Sequence, residues 1–215
     1  YGRSIRYSYT LNDQWYINID EHTAGPYDSI KFYGFSEDDS VGNSKYAFSY
    51  SVDDEYYIRV NEDIYGPYDS VAETLAFSSD AQRFAYSYSQ DGDAYLAVND
   101  TIYGPLQAVI DSGFSADSEL MGAVVSNGSN LMVLIEDEEY GPYRRLEGGL
   151  KFSDSGSGYG FIAVNDDSYI VIANGEEYGP YEGAWDLAFD PVNGEAVFWY
   201  RENEENVLHL PDSEF

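Results

Sequence analysis

Short apolar runs of five to seven residues, separated by polar pairs, fill this chain, and they are of two kinds. One kind alternates strictly, as in Tyr7-Ser8-Tyr9, Phe48-Ser49-Tyr50 and Tyr86-Ser87-Tyr88. The other is apolar on both faces: WYINID, YYIRVN, AYLAVN, LMVLIE, YIVIAN and NVLHLP. Side chains of a strand alternate between two faces, so the first kind predicts strands with one polar and one apolar face. The second predicts strands covered on both faces. Between the two lie Asn12-Asp13, Asp53-Asp54, Asp91-Gly92, Gly128-Ser129, Asp166-Asp167 and Asn203-Glu204. Asn, Asp and Gly tolerate the left-handed backbone of a tight hairpin loop, so each pair of runs predicts a β-hairpin.

The hairpins recur with a period. A Tyr-Gly-Pro-Tyr-like step appears five times, with its Gly at Gly25, Gly66, Gly104, Gly141 and Gly179, at intervals of 41, 38, 37 and 38 residues. Eighteen residues before each Gly lies a strand centre: Tyr7, Phe48, Tyr86, Ala123 and Phe161, with Phe198 as a sixth. Small residues precede most of them, at Ala47, Ala85, Gly122 and Gly160, and predict a column where neighbouring units approach closely. Pro cannot donate to a ladder, which places each Gly-Pro step on an edge strand.

Periods near 40 built from short strands predict an all-β β-propeller of about six four-stranded antiparallel blades. Residues 1–215 form a single propeller domain, with approximate units 1–27, 28–68, 69–106, 107–143, 144–181 and 182–215. The phase leaves the first blade without its opening strand and the last without its closing one: five opening, six second, six third and five closing strands. Either the parent chain is longer, as an opening on Tyr1 rather than Met suggests, or another copy fills the missing edges. Head-to-tail filling would build a filament, because heterologous contacts that do not close propagate.

The units FSSDAQRFAYSY, FSEDDS, FSADSE and FSDSGS resemble the repeat signature of TolB-type, WD-repeat-like bacterial β-propellers. The stretch YLAVNDTIYGP resembles the third-strand and Tyr-Gly-Pro-Tyr step of many bacterial propeller repeats. The resemblance covers essentially the whole chain and implies a binding or scaffolding module; a fold of this kind hosts many activities. This chain departs from the signature in keeping its Pro only at Pro191. It also carries a four-residue insertion at 40–43, and Ala123, Val124 and Val125 stand where other units have aromatics.

Charge narrows the partners. Forty acidic residues against ten basic give a net charge of −30, which repels nucleic acid and anionic membranes and favours cationic partners or a salty medium. Such a surface fits an extracellular or cell-surface protein, or a periplasmic one. There is no Cys, hence no disulfide, thiolate metal site or Cys nucleophile. No run approaches the length of a membrane span.

The candidate chemistry is sparse. His22 and His209 are the only histidines. His209 falls in a column with Asn18, Arg59, Ala97, Leu134 and Ile172, which does not demand an imidazole, so both read as structural. Glu73, Asp111, Glu147 and Asp186 occupy comparable places on successive first strands. They form a candidate axial carboxylate ring that could attract cations or, in a glycosidase, supply an acid and a base. Asp91-Gly92-Asp93 and Asp53-Asp54-Glu55 are candidate calcium ligands, although the hairpins need those residues as turns. Asn99 and Asn127 head sequons for N-glycosylation. Trp15 with Tyr56, and Tyr16 with Tyr57, form columns expected to pack between blades. The expected function is a non-enzymatic binding or assembly module without a cofactor, taking protein partners, other copies of itself or a glycan. The alternatives are a carbohydrate-active propeller and a periplasmic TolB-like scaffold.

Overall fold

The computed structural model describes residues 6–19, 22–35 and 45–210. The insertion at 40–43 lies outside these residues. The described residues form 22 strands and no helix, so no helix is long and apolar enough to cross a membrane. Six antiparallel sheets follow one another along the chain. The first is β1 (Arg6–Leu11), β2 (Gln14–Ile19) and β3 (His22–Tyr27). The second is β4 (Ser29–Phe35), β5 (Tyr46–Val52), β6 (Glu55–Val60) and β7 (Asp63–Tyr68). The third is β8 (Ser70–Phe77), β9 (Phe84–Gln90), β10 (Asp93–Val98) and β11 (Thr101–Leu106). The fourth is β12 (Ala108–Phe114), β13 (Met121–Asn127), β14 (Asn130–Ile135) and β15 (Glu138–Tyr143). The fifth is β16 (Arg145–Phe152), β17 (Tyr159–Asn165), β18 (Ser168–Ala173) and β19 (Glu176–Tyr181). The sixth is β20 (Gly183–Phe189), β21 (Ala196–Glu202) and β22 (Glu205–His209). Each sheet is ordered as the chain runs, with four strands in the inner four sheets and three in the first and last. The molecule is a β-propeller, and among the described residues each end blade has three strands.

The hairpin between the second and third strands of each blade turns through left-handed backbone where the sequence supplies Asn, Asp or Gly. Asn12 and Asp13 have φ of 53° and 62°, and Asp53 and Asp54 have 52° and 66°. A second device closes each of the four inner blades at its opposite end. The residue after the third strand is left-handed at Asn61, Asn99, Glu136 and Asn174. Its side-chain oxygen accepts a hydrogen bond from the first backbone N–H of the second strand, at Tyr46, Phe84, Met121 and Tyr159.

The core lies between blades. Five clusters of buried apolar side chains each straddle one of the five joints between consecutive sheets. Strand alternation explains the division of labour. Phe48, Tyr86, Phe161 and Phe198 face the preceding blade, while Ile58, Leu96, Val133 and Val171 face the following one. The small column does separate blades. A Cβ at Gly122 would lie 2.5 Å from Leu150 of the next blade, and one at Gly160 would lie 3.1 Å from Leu187.

The Tyr-Gly-Pro-Tyr step is the joint's fastener. The Pro residues are exposed on the edge strand, where the ladder register shifts. The five Gly-Pro bonds are cis. The tyrosines on either side reach into the following blade. Tyr68 stacks on Tyr88 at 4.0 Å, Tyr181 on Tyr200 at 4.3 Å, and Tyr65 lies 5.6 Å from Phe84. One joint adds an ion pair: Arg83 of the third blade grips Glu136 of the fourth through both guanidinium NH2 groups, at 2.9 and 3.0 Å.

Candidate functional site

An opening lies at the last joint, between the fifth and sixth blades. It is a cavity of about 390 Å³ bordered by Asn174, Glu176 and Tyr178 on one side and by Glu195, Ala196 and His209 on the other. Comparison with the joint before it shows why it is open. There the first residue of the second strand is Tyr159, whose hydroxyl meets that of Tyr140 at 2.7 Å. In the last blade the same position, two residues before the central aromatic, is Ala196. Ala196 therefore lacks the phenol that would meet the Tyr178 hydroxyl from the next blade. His209 pairs across the ladder with Phe198 as Ile172 pairs with Phe161.

The walls are aromatic and acidic. His209 stacks on Phe198 with ring centroids 4.5 Å apart and tilts against Tyr178 at 4.9 Å. The Tyr178 hydroxyl donates to Glu176 at 2.7 Å. Burial first, then this bond and the nearby carboxylates, push the Tyr178 phenol up to about 12, so it stays a neutral donor near neutral pH. His209 was expected to be structural from its column, and its ring does pack as a core residue would. What its column concealed is that the residue also borders a cavity. The small residue at Ala196 was the available sequence signal.

The four first-strand carboxylates sit at irregularities in their strands. The register shifts between Val71 and Leu75, between Val109 and Asp111, between Glu147 and Lys151, and between Trp185 and Ala188. Glu73, Asp111, Glu147 and Asp186 therefore share a place at or beside the bulge of successive blades. Asp111 is exposed beside a smaller cavity of about 160 Å³ walled by Gly122, Leu150 and Phe152. Glu147 is exposed and paired with Arg145. Asp186 is exposed with φ of 54°. Among the described side chains no hydrogen bond joins any two of Asp111, Glu147 and Asp186.

The proposed calcium ligands Asp53, Asp54 and Asp91 lie in hairpin turns, where Asp28 and Asp69 cap the backbone N–H groups of Asp53 and Asp91. Among the described residues no group of three His, Asp or Glu side chains is close enough to hold a metal ion. Asn127 is exposed at the end of β13, whereas Asn99 is half-buried with its amide oxygen engaged by Phe84. Of the aromatic columns, Tyr57 stacks on Tyr50 and Tyr16 on Tyr9, but Trp15 and Tyr56 are more than one-third exposed, contrary to the packing expected of them. They sit where the Tyr-Gly-Pro-Tyr edge strand crosses, on the outer side of the ladder.

The two end faces form a second candidate surface. In the column facing forward, Ile17, Ile58, Leu96, Val133 and Val171 are at most 2% exposed, and Leu208 is 36% exposed. Beside it Trp199 is 38% exposed, where Ser49, Ser87, Val124 and Ile162 are buried. Facing backward, Tyr7 is 53% exposed, where Phe48, Tyr86, Ala123, Phe161 and Phe198 are buried. Each end presents an ordinary joint surface with nothing packed on it among the described residues.

No protein-family model matches the chain, and no curated protein matches it in sequence. Solved structures similar to it include TolB from Acinetobacter baumannii, at 12% identity with a TM-score of 0.41, over 91% of this chain and 56% of that one. A prolyl endopeptidase is 12% identical with a TM-score of 0.36, over 96% of this chain and 48% of that one. Kuenenia stuttgartiensis hydrazine synthase is 11% identical with a TM-score of 0.32, over 72% and 52%. The chain spans about half the length of these solved chains. Its propeller fold is read from its own six sheets.

Proposed function

We propose that this chain is a non-enzymatic β-propeller module that binds and assembles through blade faces, at the cell surface, outside the cell or in the periplasm. The observation that carries the reading is the pair of end faces, on which nothing packs among the described residues. Leu208 at one end and Tyr7 at the other belong to columns that are buried at the internal joints, and Trp199 to one that is buried at all of them but the first, where Ser8 is exposed. Burying such side chains releases about 25 cal/mol per Å² of apolar surface, so each face favours a blade-like partner. The two faces are of complementary kind, since a forward face packs on a backward face at all five internal joints. A second copy of the chain, placed head to tail, supplies the required partner for each. The acidic surface keeps the assembly away from nucleic acid and fits an exported protein in a salty medium.

Light scattering behind a sizing column tests this. The chain has a mass of 24.2 kDa. Multiples of that mass, rising with concentration and reduced to the monomer by Trp199→Glu or Tyr7→Ser, are the expected result. A monomer at every concentration and salt, with Trp199 quenched as in a dry joint, would mean that the ends close on each other and would overturn assembly.

A further inference from the structure

We infer that the cavity between the fifth and sixth blades binds a small organic cation carrying N–H donors, an amine or a guanidinium. The inference needs only one chain and is independent of assembly. Its chemistry follows from what borders the space. Glu176 and Glu195 approach from opposite blades, and among the described residues no Lys or Arg borders the cavity to neutralise them. Each carboxylate accepts strong charge-assisted hydrogen bonds from a cationic N–H group. Tyr178 presents a ring on which a cation can rest, and the indented site lies in the field of a chain with net charge −30.

A metal ion is the poorer occupant. Glu176, Glu195 and His209 share the border of one cavity, yet they do not gather closely enough to ligate a single ion. A volume of about 390 Å³ falls in the range of small-molecule sites and exceeds what one hydrated ion requires. The neighbouring joint shows that the opening is not a necessity of the fold. Tyr140 and Tyr159 meet there at 2.7 Å, whereas Ala196, at the position of Tyr159, has no hydroxyl to offer Tyr178. A ligand donor reaching Glu176 beside the Tyr178 hydroxyl takes up the space that the Tyr159 phenol occupies one blade earlier.

The test is isothermal titration of the 215-residue chain with agmatine, and with glucose as a neutral probe. Agmatine binds with one-site stoichiometry and loosens as salt rises, and glucose gives no heat. Glu176→Gln and Glu195→Gln each weaken agmatine by at least about tenfold, the loss expected for a hydrogen bond to a charged group. Ala196→Tyr restores the filling seen at the previous joint and abolishes binding, with its fold checked by near-UV circular dichroism. Should that variant fail to fold, the two Gln variants decide alone. Glu62→Gln, an exposed turn carboxylate of the second blade, leaves affinity unchanged. No agmatine heat, an equal loss in Glu62→Gln, retained binding in folded Ala196→Tyr, or glucose preferred over agmatine would each overturn the inference.

Discussion

At the five Gly-Pro steps the backbone has room for hydrogen and little else. Gly66 has φ of 123°, and a Cβ there would sit 2.8 Å from the Tyr56 carbonyl oxygen and 3.0 Å from the Tyr57 ring. Only Gly occupies that conformation without strain. Gly66→Ala is expected to lower stability by about 1–3 kcal/mol, read as a lower denaturant midpoint at unchanged slope. The blade clip is equally residue-specific. Glu136 takes the place of Asn in accepting the bond from the N–H of Met121, and it also holds Arg83. Glu136→Ala leaves the Met121 N–H without its acceptor and Arg83 without its carboxylate, and is expected to cost about 1–3 kcal/mol. Glu136→Asn should recover part of that loss, because Asn makes the same clip in three other blades. Equal losses in the two variants would show that the clip contributes nothing.

Between elements, stability resides in aromatic joints. Phe161 is fully buried between Tyr140 and Tyr143, with centroids at 5.7 and 5.8 Å. Phe161→Ala is expected to cost about 3–5 kcal/mol in equilibrium unfolding. The tyrosines also set a pH limit. Burial, and for Tyr86 and Tyr140 also their hydroxyl partners, raises the phenols of Tyr68, Tyr86, Tyr140 and Tyr178 above their ordinary value of 10.0. As pH rises, the unfolded chain therefore loses these protons before the folded chain does. Their contribution is whole below pH 10 and drains away above it, through about 12 for Tyr178. Alkaline unfolding should begin past pH 10, with phenolate absorbance of the joint tyrosines appearing together with loss of structure. Phenolate formation in a still-folded chain would contradict this picture.

At the scale of the molecule, self-repulsion opposes everything the joints achieve. A net charge of −30 spread over six thin blades favours separation, and dissolved salt screens it within about 10 Å at 0.1 M. Melting temperature and head-to-tail association should both rise with salt. A melting temperature indifferent to salt would mean that the turn carboxylates are already too far apart to matter.

The architecture was legible from residue order alone because it is local and repeated. Two-residue hairpin loops need left-handed backbone, the third strands draw apolar residues on both faces, and an edge strand accepts Pro, while the alternating second strands bury their Ser49 and Ser87 face as well. Each requirement leaves its mark within a few residues. The period then exposed the blade count. Tertiary structure decided what happens where blades meet. The tyrosines of the Gly-Pro step look like edge residues in sequence, yet they fasten the next blade, because the edge strand shifts register there. The cavity at the last joint depends on Ala196 facing Tyr178 and Glu176, residues of two different sheets. Its shape is a difference between one joint and the joint before it. A column of aligned residues registers Ala196 and His209 as two unremarkable substitutions, because volume and charge add up only after the sheets have been laid face to face.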